Sequence, residues 1–189
     1  MAGMCSQAMA NAIDQNSYAN LDDVVTTHLN LDLDVDFADK QLEGFVEHTL
    51  QWNNSKSRTL VLDTRDLDID KVMYKDQSGN WKKATFDLAK RDDVKGSKLT
   101  IVFKNQAEVV RIYYNSRPEA SGLQWLTPEQ TASKTHPFMY SQSQAIHARS
   151  WIPVQDTPAM RVTYSARIHT PKDIRAVMSA DNKDALYKD

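Results

Sequence analysis

The stretch Thr27–Phe37, THLNLDLDVDF, alternates apolar and polar residues with a period of two. Its apolar positions are Leu29, Leu31, Leu33, Val35 and Phe37. Because successive side chains of a β-strand point to opposite faces, this pattern predicts a strand with one buried face. A polar turn over residues 38–41 follows, so Leu42–Trp52 is predicted to return as the hairpin partner of this strand.

Short β-rich segments continue along the rest of the chain and are separated by turn sequences. The predicted strands are Leu60–Leu62, Leu67–Tyr74, Leu99–Phe103, Val109–Tyr114 and Arg161–His169. This spacing is typical of an all-β domain, either a β-sandwich or a pair of open curved sheets. The segment Arg117–Pro137 lacks strand periodicity, and a long ordered loop of this kind is typical of a functional segment or an interface.

Length and composition limit the classes of protein to which the chain can belong. Its 189 residues predict a flexible terminus over residues 1–20 and a single β-rich domain over residues 21–189. The formal net charge of -2 disfavours nucleic acid as a partner, and no apolar segment is long enough for a membrane-spanning helix. A single cysteine, Cys5, excludes an internal disulfide.

Two residue patterns bear on metal binding. Asp32, Asp34, Asp36 and Glu43 have the carboxylate spacing of a calcium-binding EF-hand loop, but Phe37 occupies the position that requires glycine. A solvated strand face is therefore the preferred interpretation. The five histidines form no His-Glu-x-x-His motif, so no zinc site and no catalytic residue is predicted within these 189 residues.

The segment Phe138–Gln144, FMYSQSQ, places polar residues beside aromatic ones. If a strand persists through it, Tyr140, Gln142 and Gln144 share one face. A glutamine amide offers donors and an acceptor without a charge, so Gln144 is a candidate for binding an ammonium or a peptide group. An exposed strand face without a ligand is the alternative.

The residues after Gln144 predict a short helical turn over Ala145–Ser150, which ends before the Ile152-Pro153 pair. Arg149 is predicted to anchor this turn by pairing with Asp156. Treated as a surface salt bridge, that pair contributes only about 0 to 1 kcal/mol. The tryptophans Trp125 and Trp151 are predicted to serve packing rather than binding.

The segment Leu123–Pro158, with its LQWLTPEQ and SQSQAIHAR sequences, closely resembles the M1 zinc aminopeptidases, in the branch of leukotriene A4 hydrolase. Weaker similarity extends over about residues 24–180. The resemblance implies the saddle-like, strand-rich amino-terminal domain of these enzymes, which packs against a zinc-containing catalytic domain. It implies that Gln144 holds the free α-amino group of a peptide substrate. The implied substrate-binding residues are Gln142, Ser143, Gln144 and Ala145.

The resemblance implies an aminopeptidase that removes amino-terminal residues from peptides, with zinc held outside these residues. The implied partners are peptides with a free amino terminus and the catalytic and helical domains of the same polypeptide. The alternative is a free-standing β-sandwich binding module without catalysis. We expect a cytoplasmic location, although the start at residues 2–6 faintly resembles a trimmed lipoprotein signal, which would imply a periplasmic or lipid-anchored protein.

Overall fold

The computed structural model describes residues 14–182, which form β-strands and two short 3-10 helices. The 3-10 helices are Pro128–Gln130 and Ala148–Ser150. The strands are β1 (Val24–Asp36), β2 (Gln41–Trp52), β3 (Thr59–Thr64), β4 (Asp68–Lys75), β5 (Trp81–Lys83), β6 (Thr85–Leu88), β7 (Ser97–Val102), β8 (Val109–Asn115), β9 (Leu123–Leu126), β10 (Phe138–Ser141) and β11 (Thr163–His169). The all-β fold class predicted from the sequence is confirmed.

The largest sheet has six strands in the order β11-β1-β2-β8-β4-β5. The long β1–β2 hairpin lies inside it, with Leu31 opposite Val46. The turn of this hairpin is closed by the Asp36 carboxylate, which accepts hydrogen bonds from the backbone amides of Ala38 and Asp39 at 2.7 and 3.0 Å. The strand β11 pairs in parallel with β1 at one edge, so the carboxyl-terminal part of the domain joins its first strand.

A three-stranded sheet, β3-β7-β6, and the two-stranded hairpin β9-β10 complete the fold. The three-stranded sheet shares one hydrophobic core with the six-stranded sheet. Leu60, Leu62 and Ile101 from the former lie in the same buried cluster as Leu31 and Ile112 from the latter. The alternation of residues 29–35 therefore places leucines and valine in this core and asparagine and aspartates on the outer face, as expected for a strand buried on one side.

Every strand predicted from periodicity is present, with boundaries that differ by a few residues. The sequence did not reveal β5 and β6, which have only three and four residues. The prediction that Arg117–Pro137 has no regular structure is wrong, because this segment contains β9 and the first 3-10 helix. Strand β9 is recognisable only through its pairing with β10, which begins at the far end of the segment.

The described chain begins with a segment that is hydrogen-bonded to the β-rich body. The Ser17 hydroxyl and the Tyr18 backbone amide both donate to the Asp63 carboxylate, at 2.6 and 2.7 Å. The side-chain amide of Asn20 donates to the Thr59 carbonyl. The division into residues 1–20 and 21–189 stays a prediction, and the lipoprotein-like start lies outside the described residues. Over residues 14–182, no helix is long and apolar enough to cross a membrane.

Candidate functional site

The four candidate substrate-binding residues form a turn that directly follows β10. This strand ends at Ser141, so the predicted alternation does not extend through Gln142 and Gln144. Instead, the Gln142 amide donates to the Gly122 carbonyl at 2.9 Å, and the chain then turns before the 3-10 helix Ala148–Ser150. The helical turn expected after Gln144 is confirmed, although its helical part begins only at Ala148.

Within the turn, Gln142, Gln144 and Ala145 are exposed, whereas Ser143 is half-buried. The Gln142 side-chain oxygen accepts a hydrogen bond from the Gln144 backbone amide at 3.0 Å. The Ser143 hydroxyl accepts one from the Trp151 indole at 3.1 Å. The peptide bond between Gln144 and Ala145 is cis. Among residues 14–182, no group bonds to the Gln144 side-chain amide, which therefore remains available to a ligand.

An open groove of about 390 Å³ runs beside Gln144 and Ala145. Its lining also includes the carboxylates Asp14 and Asp156, of which Asp14 is distant from Gln144 in the sequence. Hydrogen bonds from the Asn16 backbone, and secondarily a side-chain hydrogen bond with Thr157, lower the pKa of Asp14. Asp14 is therefore ionised at neutral pH, whereas the charge of Asp156 is balanced by Arg149, so Asp14 is the wall residue that favours an ammonium group over an anion.

The 3-10 helix Ala148–Ser150, which follows the candidate turn, is fixed by Arg149, whose side chain is 0% exposed. Its Nε donates to the Asp156 carboxylate at 2.9 Å, and its Nη1 donates to the backbone carbonyls of Asn16 and Lys95 at 2.8 and 2.9 Å. The Asp63 carboxylate, which is also fully buried, lies 3.7 Å from the same Nη1. The pairing with Asp156 is confirmed, but the prediction of a surface salt bridge is wrong.

Burial changes the energetics of this ion pair. Desolvation raises the pKa of the Asp63 carboxyl, and hydrogen bonds from Ser17, Tyr18 and Asp156, together with the charge of Arg149, oppose that shift. Removal of one partner from a buried, hydrogen-bonded charge pair leaves the other charge uncompensated. We therefore interpret Arg149 as the central tie between the start of the described chain and the 3-10 helix that follows the candidate turn.

The remaining residues singled out in the sequence take structural positions. Trp125 and Trp151 are partly buried and pack against the core, as predicted. Asp32 lies on the outer face of β1, where its carboxylate accepts hydrogen bonds from Arg167 and His169 of the neighbouring β11. These contacts match the strand-face interpretation of the aspartate series. In the part of the chain that the structure describes, no three His, Cys, Asp or Glu side chains are grouped to hold a metal ion.

Two features of the site carried no signal in the sequence. Asp14 and Asn16 precede Gln144 by about 130 residues, and only the tertiary structure places them in one groove. In the same way, the Ser121 hydroxyl lies 2.8 Å from Nδ1 of His147, just beyond the turn. Neither pair belongs to a short motif, so no spacing rule could have predicted these contacts.

A comparison with models of known protein families supplies the family. The model described as the peptidase M1 N-terminal domain matches residues 25–188. The chain belongs to this family. The match covers nearly the whole of the M1 N-terminal domain described above, from β1 to beyond β11.

Curated relatives of this M1 N-terminal domain are named as enzymes. The chain is 38% identical over 172 residues to leukotriene A-4 hydrolase of Xenopus laevis, covering 88% of this chain and 27% of that protein. It is 39% identical over 166 residues to leucine aminopeptidase 2 of Yarrowia lipolytica, covering 86% of this chain and 25% of the relative. The M1 N-terminal domain thus spans about a quarter of the length of these relatives.

A solved structure supports the same assignment. The leukotriene A4 hydrolase of yeast, determined in complex with bestatin, has a TM-score of 0.78 and 33% sequence identity to this chain. The similarity covers 87% of this chain and 26% of the yeast chain. The arrangement of sheets in the M1 N-terminal domain is therefore that of a known family fold.

Proposed function

We propose that this chain is the substrate-anchoring amino-terminal domain of a zinc aminopeptidase that removes amino-terminal residues from peptides. The observation that carries the proposal is the turn Gln142–Ala145, whose exposed Gln144 amide borders a groove lined by the ionised Asp14 in a domain of the peptidase M1 family. Its relatives are named leukotriene A-4 hydrolase and leucine aminopeptidase, and the second name favours a peptide with a free amino terminus as the substrate.

The chemistry of Gln144 suits recognition of an ammonium group. Its Oε1 accepts a hydrogen bond from a positively charged donor without carrying a charge that would need neutralising in the free protein. The nearby carboxylate of Asp14 adds an attractive potential at longer range. Gln142, Ser143 and Ala145 supply the polar and backbone groups along which the first peptide bond lies, so that the anchor fixes which bond reaches the reaction centre.

The hydrolytic step itself is assigned to other residues of the enzyme. The 189 residues contain no His-Glu-x-x-His sequence, and residues 14–182 present no group of side chains able to hold zinc. Residues 14–182 therefore do not fit the metal, and the zinc-dependent step belongs to other residues of the proposed enzyme. The catalytic and helical domains are proposed partners in the same polypeptide, and the cytoplasmic location stays a prediction.

The proposal is tested by Gln144→Ala in the complete natural protein that carries this domain. We expect kcat/KM for peptides with a free amino terminus to fall by roughly 5-fold to 150-fold, which corresponds to about 1 to 3 kcal/mol for a lost hydrogen bond to a charged group. Gln124→Ala serves as the matched control, because Gln124 is an exposed glutamine on the neighbouring strand β9. Unchanged kinetics in Gln144→Ala would exclude this residue from substrate binding.

The mass of the natural protein, captured from its source with an antibody against this chain, tests the larger claim. A zinc aminopeptidase built like the relatives requires a polypeptide several times heavier than the 21.5 kDa of this chain. A natural mass equal to 21.5 kDa would refute the aminopeptidase proposal in favour of the β-sandwich binding module.

A further inference from the structure

We propose that Ser121 and His147 are positioning residues that hold the Gln142–Ala145 turn in its ligand-binding shape. This inference rests on the proposed function of the turn. The Ser121 hydroxyl lies 2.8 Å from Nδ1 of His147, which links the loop before β9 to the residue just after the turn. The two residues are 26 positions apart in the sequence, so their contact closes the segment that carries Gln144 into a loop.

Both ends of the turn are tied to the same short segment, Ser121–Gly122. At the beginning, the Gln142 amide donates to the Gly122 carbonyl at 2.9 Å. At the end, the Ser150 hydroxyl accepts a hydrogen bond from the Gly122 amide and donates to the His147 carbonyl, each at 2.8 Å. The side-chain contact between Ser121 and His147 completes this clamp, and Gln144 and Ala145 are exposed between its two ends.

His147 also contacts a residue of the turn itself. Its backbone amide donates to the Ser143 carbonyl at 2.9 Å, which fixes the residue directly before Gln144. His147 therefore contacts Ser121 through its imidazole and Ser143 through its backbone amide. The Ser143 hydroxyl is held separately, because it accepts a hydrogen bond from the Trp151 indole. Rotation of the His147 ring away from Ser121 would remove the side-chain restraint on this end of the turn.

Arg65 specifies the direction of the hydrogen bonds in the clamp. Its Nη1 donates to the Ser121 hydroxyl at 3.3 Å and lies 3.4 Å from Nδ1 of His147. Arginine carries donors only, so its position beside Nδ1 favours the tautomer of His147 in which Nδ1 is unprotonated and accepts a hydrogen bond. In that tautomer the Ser121 hydroxyl donates its proton to Nδ1 while it accepts from the guanidinium of Arg65.

The clamp differs from the buried ties because it lies at the surface. Ser121 is exposed and His147 is only half-buried. Exposed hydrogen bonds contribute little to global stability, whereas local opening of a loop depends on the few bonds that close it. Loss of the Ser121 hydroxyl is therefore expected to loosen the turn without unfolding the domain.

The first experiment measures amide hydrogen exchange by NMR on this chain. In Ser121→Ala, we expect the amides of Gln142 and His147 to exchange about threefold to tenfold faster, with the melting temperature unchanged. Ser121→Thr, which keeps the hydroxyl, should restore the slow exchange. Ser78→Ala is the matched control, because Ser78 is exposed in a turn far along the chain from this clamp. Equal exchange in Ser121→Ala and the parent chain would overturn the inference.

The second experiment measures peptide hydrolysis by the complete natural protein. His147→Ala is expected to raise KM for peptides with a free amino terminus by about threefold to tenfold with little change in kcat, because a loosened anchor weakens binding. His147→Asn, whose side-chain oxygen can replace the Nδ1 acceptor, should recover most of the affinity. A fall in kcat with KM unchanged would contradict a positioning role.

The two experiments separate failure of this inference from failure of the proposed function. If Gln144→Ala impairs hydrolysis but Ser121→Ala does not alter exchange and His147→Ala does not alter KM, the anchor stands and the clamp is refuted. If Ser121→Ala accelerates exchange but neither His147→Ala nor Gln144→Ala alters hydrolysis, the clamp orders a turn that binds no substrate, and both proposals are refuted.

Discussion

His48 is predicted to make the stability of this domain fall as the pH drops from 7 to 5. The side chain is 0% exposed on β2, its Nδ1 lies 3.1 Å from the Thr26 hydroxyl, and its Nε2 has no hydrogen-bond partner within residues 14–182. Desolvation lowers the pKa of His48 from 6.5 to about 4, and a weaker interaction with the Pro153 backbone opposes the shift. The folded protein therefore holds this imidazole neutral.

The sign and size of the effect follow from proton binding. Below pH 6.5 the unfolded chain binds a proton at His48, whereas the folded chain binds one there only below about pH 4. The contribution of the neutral His48 imidazole to the free energy of unfolding is consequently complete above pH 6.5 and is lost as the pH falls towards 4. Each pKa unit corresponds to about 1.36 kcal/mol, so the full loss is roughly 3 kcal/mol, of which about 2 kcal/mol falls between pH 7 and pH 5.

The assay is urea unfolding followed by circular dichroism at pH 7 and pH 5, for the parent chain and for His48→Leu. The variant changes the absolute stability, but it cannot titrate at this position, so the difference between the two pH dependences isolates His48. The raised pKa of Asp63 acts in the opposite direction at lower pH and cancels in the same comparison. We expect the parent chain to lose about 2 kcal/mol more than the variant.

A loss that is equal in both proteins, within about 0.5 kcal/mol, would show that His48 does not titrate abnormally. His48→Gln provides a second variant, because it keeps a polar group near Thr26 and still removes the titration. An NMR titration of the imidazole in the folded parent chain checks the cause directly. A midpoint near 6.5 would refute the reasoning, since it would mean that burial does not exclude the proton.

Two further predictions concern stability. Arg149→Met should lower the free energy of unfolding by roughly 3 to 5 kcal/mol because it strands buried carboxylates, whereas Arg117→Met, at a pair whose side chains are 52% exposed, should cost less than about 1 kcal/mol. Equal losses in urea unfolding would contradict the burial argument. Gly96→Ala should be more costly than Gly79→Ala by at least about 2 kcal/mol, although φ is similar at +79° and +77°. The added Cβ at Gly96 would lie 2.1 Å from the Thr64 carbonyl oxygen, whereas nothing lies within 4 Å at Gly79; similar melting temperatures for both variants would disprove the steric explanation.

Most strands were predictable from periodicity, because a strand buried on one face requires apolar and polar residues to alternate along the sequence. The alternation of Leu29, Leu31, Leu33 and Val35 was sufficient to predict β1. The strands that escaped detection have three or four residues, which is too short for a period of two to stand out. They are strands because a neighbour offers them a ladder of hydrogen bonds, as β7 does for β6.

The candidate site was only partly predictable. The exposed position of Gln144 is compatible with the role implied by the family resemblance, which remains to be tested by its substitution. The surroundings of the turn were inaccessible to sequence reasoning, because Asp14, Ser121 and Arg65 reach it from three different parts of the chain. Arg149 was recognised as an anchor but assigned to the surface, since its carbonyl partners at Asn16 and Lys95 are not sequence neighbours.

The sequence by itself determined the strand-rich class of this protein, its family and the segment that carries the candidate substrate anchor. Each of these is encoded locally, in a period of two or in a run of characteristic residues. Only the tertiary structure decided which charges are buried, which groove borders Gln144 and which side chains clamp its turn. Burial and hydrogen bonding depend on distances between residues that lie tens of positions apart, and such distances exist only once the sheets have paired and packed.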